Sequence, residues 1–169
     1  MFVREALAED AEACAAILAV VAEEGLIATE PPVDVEARAQ GFREMLAAGE
    51  GDRIWVLCAG GDGTQEGAIV GLLGLHPTAA DGVLMLGAAI LDGHRGAGGG
   101  RLLMEAALGW AREDPETHKV ELEVWPDNER AIAYYEAHGF EHEGLRRDHY
   151  RRRDGSLRSA RLMAIAVGS

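Results

Sequence analysis

The segment Ile90–Met104 reads ILDGHRGAGGGRLLM, in which an apolar run leads into a glycine-rich turn that opens an amphipathic helix. Glycine lets a backbone approach a ligand closely, and the free N–H groups in the first turn of a helix bind phosphate oxygens with help from the helix dipole. The segment therefore predicts an anion cradle, and a nucleotide-containing cofactor is the expected ligand. A flexible connection between a strand and a helix is the alternative interpretation.

Two common phosphate-binding motifs do not fit this turn. A P-loop ends in Gly-Lys followed by Ser or Thr, whereas Gly100 is followed by Arg101 and Leu102. The dinucleotide fingerprint G-x-G-x-x-G needs a glycine where this chain has Arg101, so it fails as well. The pattern that remains is Arg95-x-x-Gly98-x-Gly100.

A second segment, residues 119–140, reads KVELEVWPDNERAIAYYEAHGF. Its alternation of apolar and acidic residues predicts a strand, Pro-Asp-Asn predicts a turn, and the apolar residues that follow recur at helical spacing. Asp127 or Asn128 is expected to cap the helix, and Gly139 is expected to end it because glycine tolerates a positive φ. A strand, a turn and a helix therefore follow the cradle along the chain.

Together the two segments resemble the GNAT superfamily of N-acetyltransferases. The cradle is similar to that family's pyrophosphate-binding motif, and the second segment follows its pattern L-x-V-x-x-x-N-x-x-A-x-x-x-Y-x-x-x-G-F. The residues that fall in register are Leu122, Val124, Asn128, Ala131, Tyr135, Gly139 and Phe140. The resemblance covers residues 82–166 and includes features of ribosomal-protein alanine acetyltransferases and of small-amine or amino-acid acetyltransferases.

The resemblance implies an α/β/α sandwich with a mixed, mostly antiparallel sheet of six or seven strands that is splayed between strands 4 and 5. Apolar patterning agrees, with the order strand, two helices, three strands, helix, strand, helix and two strands. At 169 residues, the chain is expected to form one domain over residues 1–169. In the first 90 residues the patterning predicts strands at 2–6, 54–59, 68–75 and 83–90. It also predicts a helix at 10–24, a loop at 24–34, a second helix capped by Asp34, and a hairpin turn at 60–64.

Acetyl-CoA is the co-substrate that the resemblance implies. Its diphosphate would be held by the backbone N–H groups from Arg95 to Arg101 and by the charge of these two arginines. The backbone of Ala89 and Ile90 is expected to pair with the pantetheine arm and to polarise the thioester carbonyl. Asn128 resembles a cofactor-contacting asparagine of the family and is also a helix cap. The predicted cofactor-binding residues are Ala89, Ile90, Arg95, Gly96, Ala97, Gly98, Gly99, Gly100, Arg101, Asn128 and Tyr135.

Acetyl transfer to an amine needs a base for the amine and an acid for the leaving thiolate. Register with the family selects Tyr135 as the acid, since a phenol titrates near pH 10 and a thiol at roughly 8.5. Its neighbour Tyr134 points about 100° away on a helix, so we expect only one of the two to face the gap. Glu123, twelve residues before Tyr135, is the predicted base. Glu121 or a water chain is the alternative, and a packed tyrosine with a solvent-facing glutamate is the non-catalytic interpretation.

The expected reaction is direct transfer, in a ternary complex, to the primary amine of a small molecule or amino acid, with Glu30 as a contact for the amine. Cys14 and Cys58 lie in no motif and are expected to be reduced, buried residues rather than nucleophiles. A protein or peptide N-terminal acetyltransferase and a non-catalytic acyl-CoA-binding sensor are the alternatives. His76 is a further candidate for the acceptor pocket, and His138 is expected to complement the carbonyl groups at its helix end.

The composition narrows the partners. A net charge of −13 predicts no general affinity for nucleic acid or for acidic membrane surfaces, and it favours a cationic amine. No apolar run has the length of a membrane span and no cationic leader is present, so a cytoplasmic location is expected. The six histidines lack metal-ligand spacing, so no metal is predicted. Arginines crowded between positions 146 and 161 are expected to lie on a solvated hairpin, and a homodimer is compatible with the frequency of dimers among similar proteins.

Overall fold

The computed structural model describes residues 1–49, 51–60 and 67–168. Within these residues, seven strands form one sheet in the order β1-β2-β3-β4-β5-β7-β6, and four helices cover it. Short 3-10 turns at Ala8–Asp10 and Asp92–His94 precede α1 and α3. The main elements are β1 Phe2–Glu5, α1 Ala11–Glu23, α2 Val35–Ala48, β2 Arg53–Ala59, β3 Ala68–Pro77, β4 Val83–Ile90, α3 Gly99–Glu113, β5 Lys119–Val124, α4 Glu129–Ala137, β6 Glu141–Arg151 and β7 Leu157–Ala166.

The predicted order of elements is confirmed, with seven strands as the final count. Asp34 caps α2 as predicted, because its carboxylate accepts the Ala37 N–H at 3.0 Å. β3 runs two residues beyond its predicted end, since His76 and Pro77 still pair with β4. The predicted hairpin turn at 60–64 falls mostly on residues 61–66, which lie outside the described residues.

Two apolar layers hold the sheet between its helices, which confirms the predicted sandwich. One layer packs β-strand residues such as Leu75 and Leu122 against α3, with Tyr134 and Tyr135 of α4 at its edge. The other packs the opposite face of the sheet against α1 and α2. Cys14 and Cys58 belong to this second layer as free, buried thiols, in agreement with the prediction.

The sheet opens between β4 and β5, the one parallel pair among the strands that the structure describes. Four residue pairs join the two strands, from Val83 with Lys119 to Leu86 with Leu122. Beyond Leu86, β4 keeps its pairing with β3, whereas β5 beyond Leu122 keeps its pairing with β7. The predicted splay between strands 4 and 5 is thus present, and it exposes strand edges on both sides of a gap.

The arginine-rich hairpin of β6 and β7 is attached to the loop between α1 and α2. Arg152 pairs with the Glu30 carboxylate at 2.9 Å, and the Arg153 N–H donates to the same carboxylate. Arg158 donates to the carbonyl of Gly25 at 3.0 Å and lies over the Trp125 ring. These arginines therefore fix the loop that borders one side of the gap, a role that the sequence pattern did not indicate.

The N-terminal strand is joined to α1 through a buried ion pair. Both Arg4 amino groups donate to the Asp10 carboxylate, at 2.6 and 2.8 Å, and the Leu7 N–H donates to it at 2.7 Å. Burial by itself raises the pKa of Asp10, but the hydrogen bonds from Arg4 and Leu7 outweigh burial and hold that pKa below its ordinary value. Asp10 therefore stabilises the fold in its charged form.

Replacing Asp10 with alanine is expected to lower the free energy of unfolding by about 2 to 3 kcal/mol, because it leaves the half-buried Arg4 without its partner. Since the folded pKa of Asp10 is depressed, the stabilisation is present at neutral pH and is lost as the pH falls through that folded pKa. Urea unfolding at several pH values measures both effects. Glu12→Ala is the control: Glu12 pairs with Arg43, but its side chain is 79% exposed, so the loss should stay below about 0.5 kcal/mol. Equal losses in the two variants would contradict the assignment.

Candidate active site

The turn before α3 owes its shape to its glycines. Gly96 and Gly98 have φ values of 78° and 88°, a left-handed conformation that is strained for any residue with a Cβ atom. Gly99 has no room for a side chain, because a Cβ atom there would collide with the fully buried Leu57. Gly99 thereby brings the first turn of α3 into close contact with β2 of the sheet.

The backbone N–H groups of this turn are free to bind an anion. Among the described residues, none of Gly96, Ala97 and Gly98 donates its N–H to another protein group. The N–H groups of residues 99–101 belong to the first helical turn, which has no acceptor within its own helix; Leu102 is the first to donate back, to Gly98 at 3.3 Å. Six successive donors at the positive end of a 15-residue helix fit the diphosphate of a coenzyme A molecule.

Arg95 differs from its predicted role in one respect. Its N–H donates to the Asp92 carbonyl at 3.1 Å, so the row of free donors begins at Gly96 rather than at Arg95. Its guanidinium forms a two-pronged contact with Glu24 at 2.6 and 2.9 Å and donates to the Ile90 carbonyl at 2.7 Å. These contacts tie the turn to the end of α1 and neutralise much of the arginine's charge. Direct contact of either Arg95 or the exposed Arg101 with phosphate stays a prediction.

A single cleft of about 980 Å³ runs from the glycine turn through the gap to the opposite face of the sheet. Ala89 and Ile90 line it, which is the position their predicted contact with the pantetheine arm requires. Asn128 lines it too and caps α4, because its side-chain oxygen accepts the Ala131 N–H at 3.2 Å. The helix-cap interpretation of Asn128 is therefore confirmed, and its contact with the cofactor stays a prediction.

The two tyrosines of α4 differ in what their hydroxyl groups do. Both rings border the cleft, contrary to the expectation that only one would. Tyr134 reaches towards α3, where its hydroxyl donates to the Gly100 carbonyl at 2.7 Å. The Tyr135 hydroxyl makes no hydrogen bond within the described part of the chain, and its ring packs against Phe140. Burial raises the pKa of Tyr135 to about 12, so this free hydroxyl stays protonated at neutral pH.

Glu123 faces the cleft from β5 with both carboxylate oxygens engaged. Arg146 donates to one oxygen and the Tyr150 hydroxyl to the other. Burial, followed by the hydrogen bond to Glu123, raises the pKa of Tyr150 to about 12. Glu121 is not among the residues that line the cleft and lies 3.9 Å from Lys119. Of the two candidate carboxylates, the structure therefore brings Glu123 to the gap.

Two histidines border the cleft in different ways. His76 lies at the end of β3, with its Nδ1 atom 2.6 Å from the Asp52 carboxylate. His138 ends α4, and its Nδ1 atom lies 2.7 Å from the Tyr134 carbonyl, which confirms its predicted position against the carbonyl groups of the helix end. The prediction that His76 lines the pocket agrees with its position.

Glu30 lies apart from these residues. Its carboxylate pairs with Arg152 and accepts the Arg153 N–H, and Glu30 is absent from the cleft lining. Its contact with a substrate amine stays a prediction, while its position favours the structural role of joining the loop to the hairpin. Within the described residues, no cluster of three or more histidine, cysteine or acidic side chains has the arrangement of a metal site.

Comparison with known proteins decides the family. The sequence model of the acetyltransferase (GNAT) family matches residues 13–140. The chain belongs to this family. The match includes both motifs that carried the resemblance. A search of curated protein sequences gives no match.

Several solved structures share the fold of this GNAT protein. The ribosomal-protein-alanine N-acetyltransferase from Brucella melitensis is 24% identical, with a TM-score of 0.81 and coverage of 98% of this chain and 99% of that one. A phosphinothricin acetyltransferase from Sinorhizobium meliloti, solved with AcCoA, is 19% identical, with a TM-score of 0.81 and coverage of 98% and 88%. The spermidine N-acetyltransferase from Vibrio cholerae, solved with CoA and spermine, is also 19% identical, with a TM-score of 0.80 and coverage of 98% and 94%.

Sequence reasoning missed the partners of Glu123. Arg146 and Tyr150 follow it by 23 and 27 residues, on the hairpin beyond α4. No spacing rule joins residues so far apart, and the arginines of the hairpin looked like a solvated cluster. The Asp52–His76 pair was missed for the same reason, since its members come from β3 and from the residue before β2.

Gly98→Ala is expected to weaken coenzyme A binding about five- to thirtyfold, because an alanine at a positive φ costs about 1 to 2 kcal/mol and the turn must keep this shape to present its donors. Isothermal titration calorimetry with CoA measures the change. Gly93→Ala is the matched control, since Gly93 lies in the same connection with open space around it and no positive φ. Equal affinity of Gly98→Ala and the unsubstituted protein would contradict the cradle.

Proposed function

We propose that this GNAT protein transfers the acetyl group of acetyl-CoA to the primary amine of a small molecule or amino acid. The observation that carries the proposal is one continuous cleft, which joins the free N–H groups of residues 96–101 to the Glu123 carboxylate beyond the gap. A donor on one side of the sheet and an acceptor on the other side would meet at this gap.

The structural relatives support the choice of co-substrate. One relative was solved with AcCoA and another with CoA and spermine, and the names of the relatives describe acetylation of amines. When bound here, acetyl-CoA would supply a thioester, an acyl donor that needs no further activation. The glycine turn would hold its diphosphate, and the edge of β4 at Ala89 and Ile90 would orient its pantetheine arm.

Direct transfer in a ternary complex fits the positions of the two cysteines. Cys14 and Cys58 are fully buried in the layer beneath α1 and α2, and neither lines the cleft. Burial raises the pKa of Cys14 to about 12 and also raises the pKa of Cys58, so both thiols are poor nucleophiles at neutral pH. An acetylated cysteine intermediate therefore has no candidate.

Tyr135 is the proposed proton donor to the leaving thiolate. Its hydroxyl is the tyrosine hydroxyl on the cleft wall that stays uncommitted within the described chain, since Tyr134 and Tyr150 donate to Gly100 and Glu123. A pKa of about 12 keeps the proton on Tyr135 at neutral pH, but it also makes complete transfer to a thiolate uphill. Proton transfer from Tyr135 to the thiolate becomes favourable when the nitrogen of the acetylated acceptor gives its remaining surplus proton back to Tyr135.

The acceptor side of the cleft favours a zwitterion. Glu123 offers one negative charge and Arg146 one positive charge, side by side. An α-amino acid presents the complementary pair, an ammonium for Glu123 and a carboxylate for Arg146. A polyamine carries several positive charges and would need several acidic groups in its pocket. The acceptor side of the cleft instead has a second arginine, Arg38. The acceptor's side chain would lie among apolar residues, namely Val21, Leu26, Ile27, Phe42 and Met45.

The proposed cellular location and oligomeric state of the protein are inferred from its sequence. No helix in the described ranges is long and apolar enough to cross a membrane. A cytoplasmic location, a lack of nucleic-acid and membrane partners, and a homodimer stay part of the proposal.

Tyr135→Phe is expected to lower kcat about tenfold or more while CoA still binds, because it removes the proton donor and keeps the packing of the ring. Tyr134→Phe is the matched comparison on the same helix turn. It removes the hydrogen bond to Gly100, so it should raise the KM for acetyl-CoA by about fivefold and leave kcat within about twofold. Steady-state assays of CoA release measure both constants, and equal losses of kcat in the two variants would refute the role of Tyr135.

Leucine is expected to be a better acceptor than isopentylamine, its decarboxylated amine, by about tenfold in kcat/KM, because only leucine offers a carboxylate to Arg146. Arg146→Met should remove this preference. Arg147→Met, at a neighbouring exposed arginine outside the cleft, should leave it unchanged. Thiol release with a panel of amines measures the preference.

The same panel separates the alternatives. A marked preference for spermidine would contradict the zwitterion, and a preference for peptides would favour an N-terminal acetyltransferase. Acetyl-CoA binding without turnover on any amine would favour a sensor, and absence of CoA binding would overturn the proposed function.

A further inference from the structure

Two paired glycines form a floor without side chains where the sheet opens. Gly74 of β3 pairs with Gly87 of β4, and Gly87 is the first residue of β4 beyond its last pair with β5. Gly87 is exposed, and a Cβ atom built on it meets no atom within 4 Å. The open space above this floor lies directly beside the gap, on the face of the sheet that carries α1 and α2.

His76 covers one half of this floor. Its ring folds back over Gly74, where a Cβ atom would come within 2.6 Å of the imidazole Nε2 atom. Since paired strands lie about 5 Å apart, the ring over Gly74 lies about 5 Å from Gly87 and the adjoining gap. The other ring nitrogen, Nδ1, lies 2.6 Å from the Asp52 carboxylate, a partner that can only accept a hydrogen bond when ionised. Nδ1 therefore carries the proton in the neutral ring, and Nε2 is left as a proton acceptor.

Glu123 stands on the opposite side of the same floor. Side chains alternate along each strand and paired residues share a face, so the register places Glu123 on the face that carries His76, Met85 and Gly87. Its two oxygens accept hydrogen bonds from Arg146 and Tyr150. With both oxygens already accepting hydrogen bonds, this carboxylate offers an ammonium group its charge rather than an unengaged oxygen for the proton.

We propose that His76, oriented by Asp52, is the base that takes the proton from the acceptor's ammonium group, and that Glu123 binds this group without taking its proton. This assignment rests on the proposed acetyl transfer. The two sides of the floor then have different roles, because Glu123 and Arg146 hold the acceptor whereas His76 activates it.

The proposed step balances in protons and bonds. The His76 Nε2 atom takes one proton from the ammonium, and the free amine forms a C–N bond to the thioester carbonyl carbon. The C–S bond then breaks, and the thiolate takes the Tyr135 proton. The positively charged amide nitrogen gives up its second proton, which replaces the one that Tyr135 lost. His76 releases its proton to solvent through the open cleft, and the products are an N-acetylated amine, a thiol and one proton.

Few charged groups other than these face the same space. β4 contributes none, since its residues on this face are Val83, Met85, Gly87 and Ala89. Lys119 and Glu121 share the face of β5 but lie outside the cleft lining. The titratable and charged groups around His76 are Asp52 before β2, Arg38 of α2, Glu123 of β5, and Arg146 and Tyr150 of β6.

The test compares three variants with the full-length protein, using the best amine of the panel. His76→Ala is expected to lower kcat about 100-fold or more and to regain activity with millimolar imidazole. Its kcat should also lose the dependence on pH that a general base confers. Asp52→Asn should lower kcat by less than His76→Ala does, because the ring keeps its place but loses the partner that fixes the proton on Nδ1. Glu123→Gln should raise the acceptor's KM and keep the pH dependence.

A readout without turnover accompanies the kinetics. NMR of the His76 ring nitrogens in the free protein should show the Nδ1–H tautomer in the unsubstituted protein and loss of that preference in Asp52→Asn. CoA titration and thermal unfolding show whether each variant is folded. His142→Gln is the matched control, because His142 pairs with Glu136 at 2.7 Å in the same manner but lies outside the cleft lining. It should change none of these quantities.

Two results would overturn the assignment. One is a folded His76→Ala protein that keeps the kcat and pH dependence of the unsubstituted enzyme. The other is loss of the pH dependence in Glu123→Gln together with failure of imidazole to rescue His76→Ala, which would make Glu123 the base. Lack of turnover by the unsubstituted protein on every amine would instead overturn the proposed function itself.

Discussion

The end of hydrogen bonding between β4 and β5 is the constraint on which the site depends. Each strand keeps its pairing on the outer side, β4 with β3 and β5 with β7, so the two strands separate after Leu86 and Leu122 without losing their places in the sheet. The cleft follows from this separation, and it joins two faces that a continuous sheet would keep apart. The glycine turn lies at the end of β4, and Glu123 is the first residue of β5 beyond the split.

The charges of the site explain how an acidic protein can hold an anionic cofactor. With a net charge of −13, the chain has few cations to spare, and Arg95 and Arg146 are paired with Glu24 and Glu123. In the proposed complex, binding would therefore rest mainly on backbone N–H groups and the dipole of α3, which carry no net charge and need no side-chain ordering. The paired arginines instead fix geometry: Arg95 joins α1 to the turn, and Arg146 orients the Glu123 carboxylate.

Local sequence was sufficient for the parts of the site that lie within one element. The Asn128 cap, the shape of the glycine turn and the position of Tyr135 on α4 each follow from residues a few positions apart. Local sequence did not reveal where a side chain is used by a distant element. Helix geometry separates Tyr134 from Tyr135 by direction, but it does not reveal that Tyr134 reaches Gly100 on α3, 34 residues away. Arg95 has the charge to bind phosphate, yet Glu24 of the α1 end holds it.

The sequence by itself determined the order of the elements and the shape of the glycine turn, because these depend on periodicity, capping and the φ values that only glycine adopts readily. Its two motifs indicated the family by resemblance. The tertiary structure decided which side chains share the gap. His76 meets Asp52 across 24 residues, and Arg146 meets Glu123 across 23, because strand pairing brings these segments together. Contacts of this kind are set by the sheet's register and by the docking of the hairpin, and neither leaves a periodic trace along the chain.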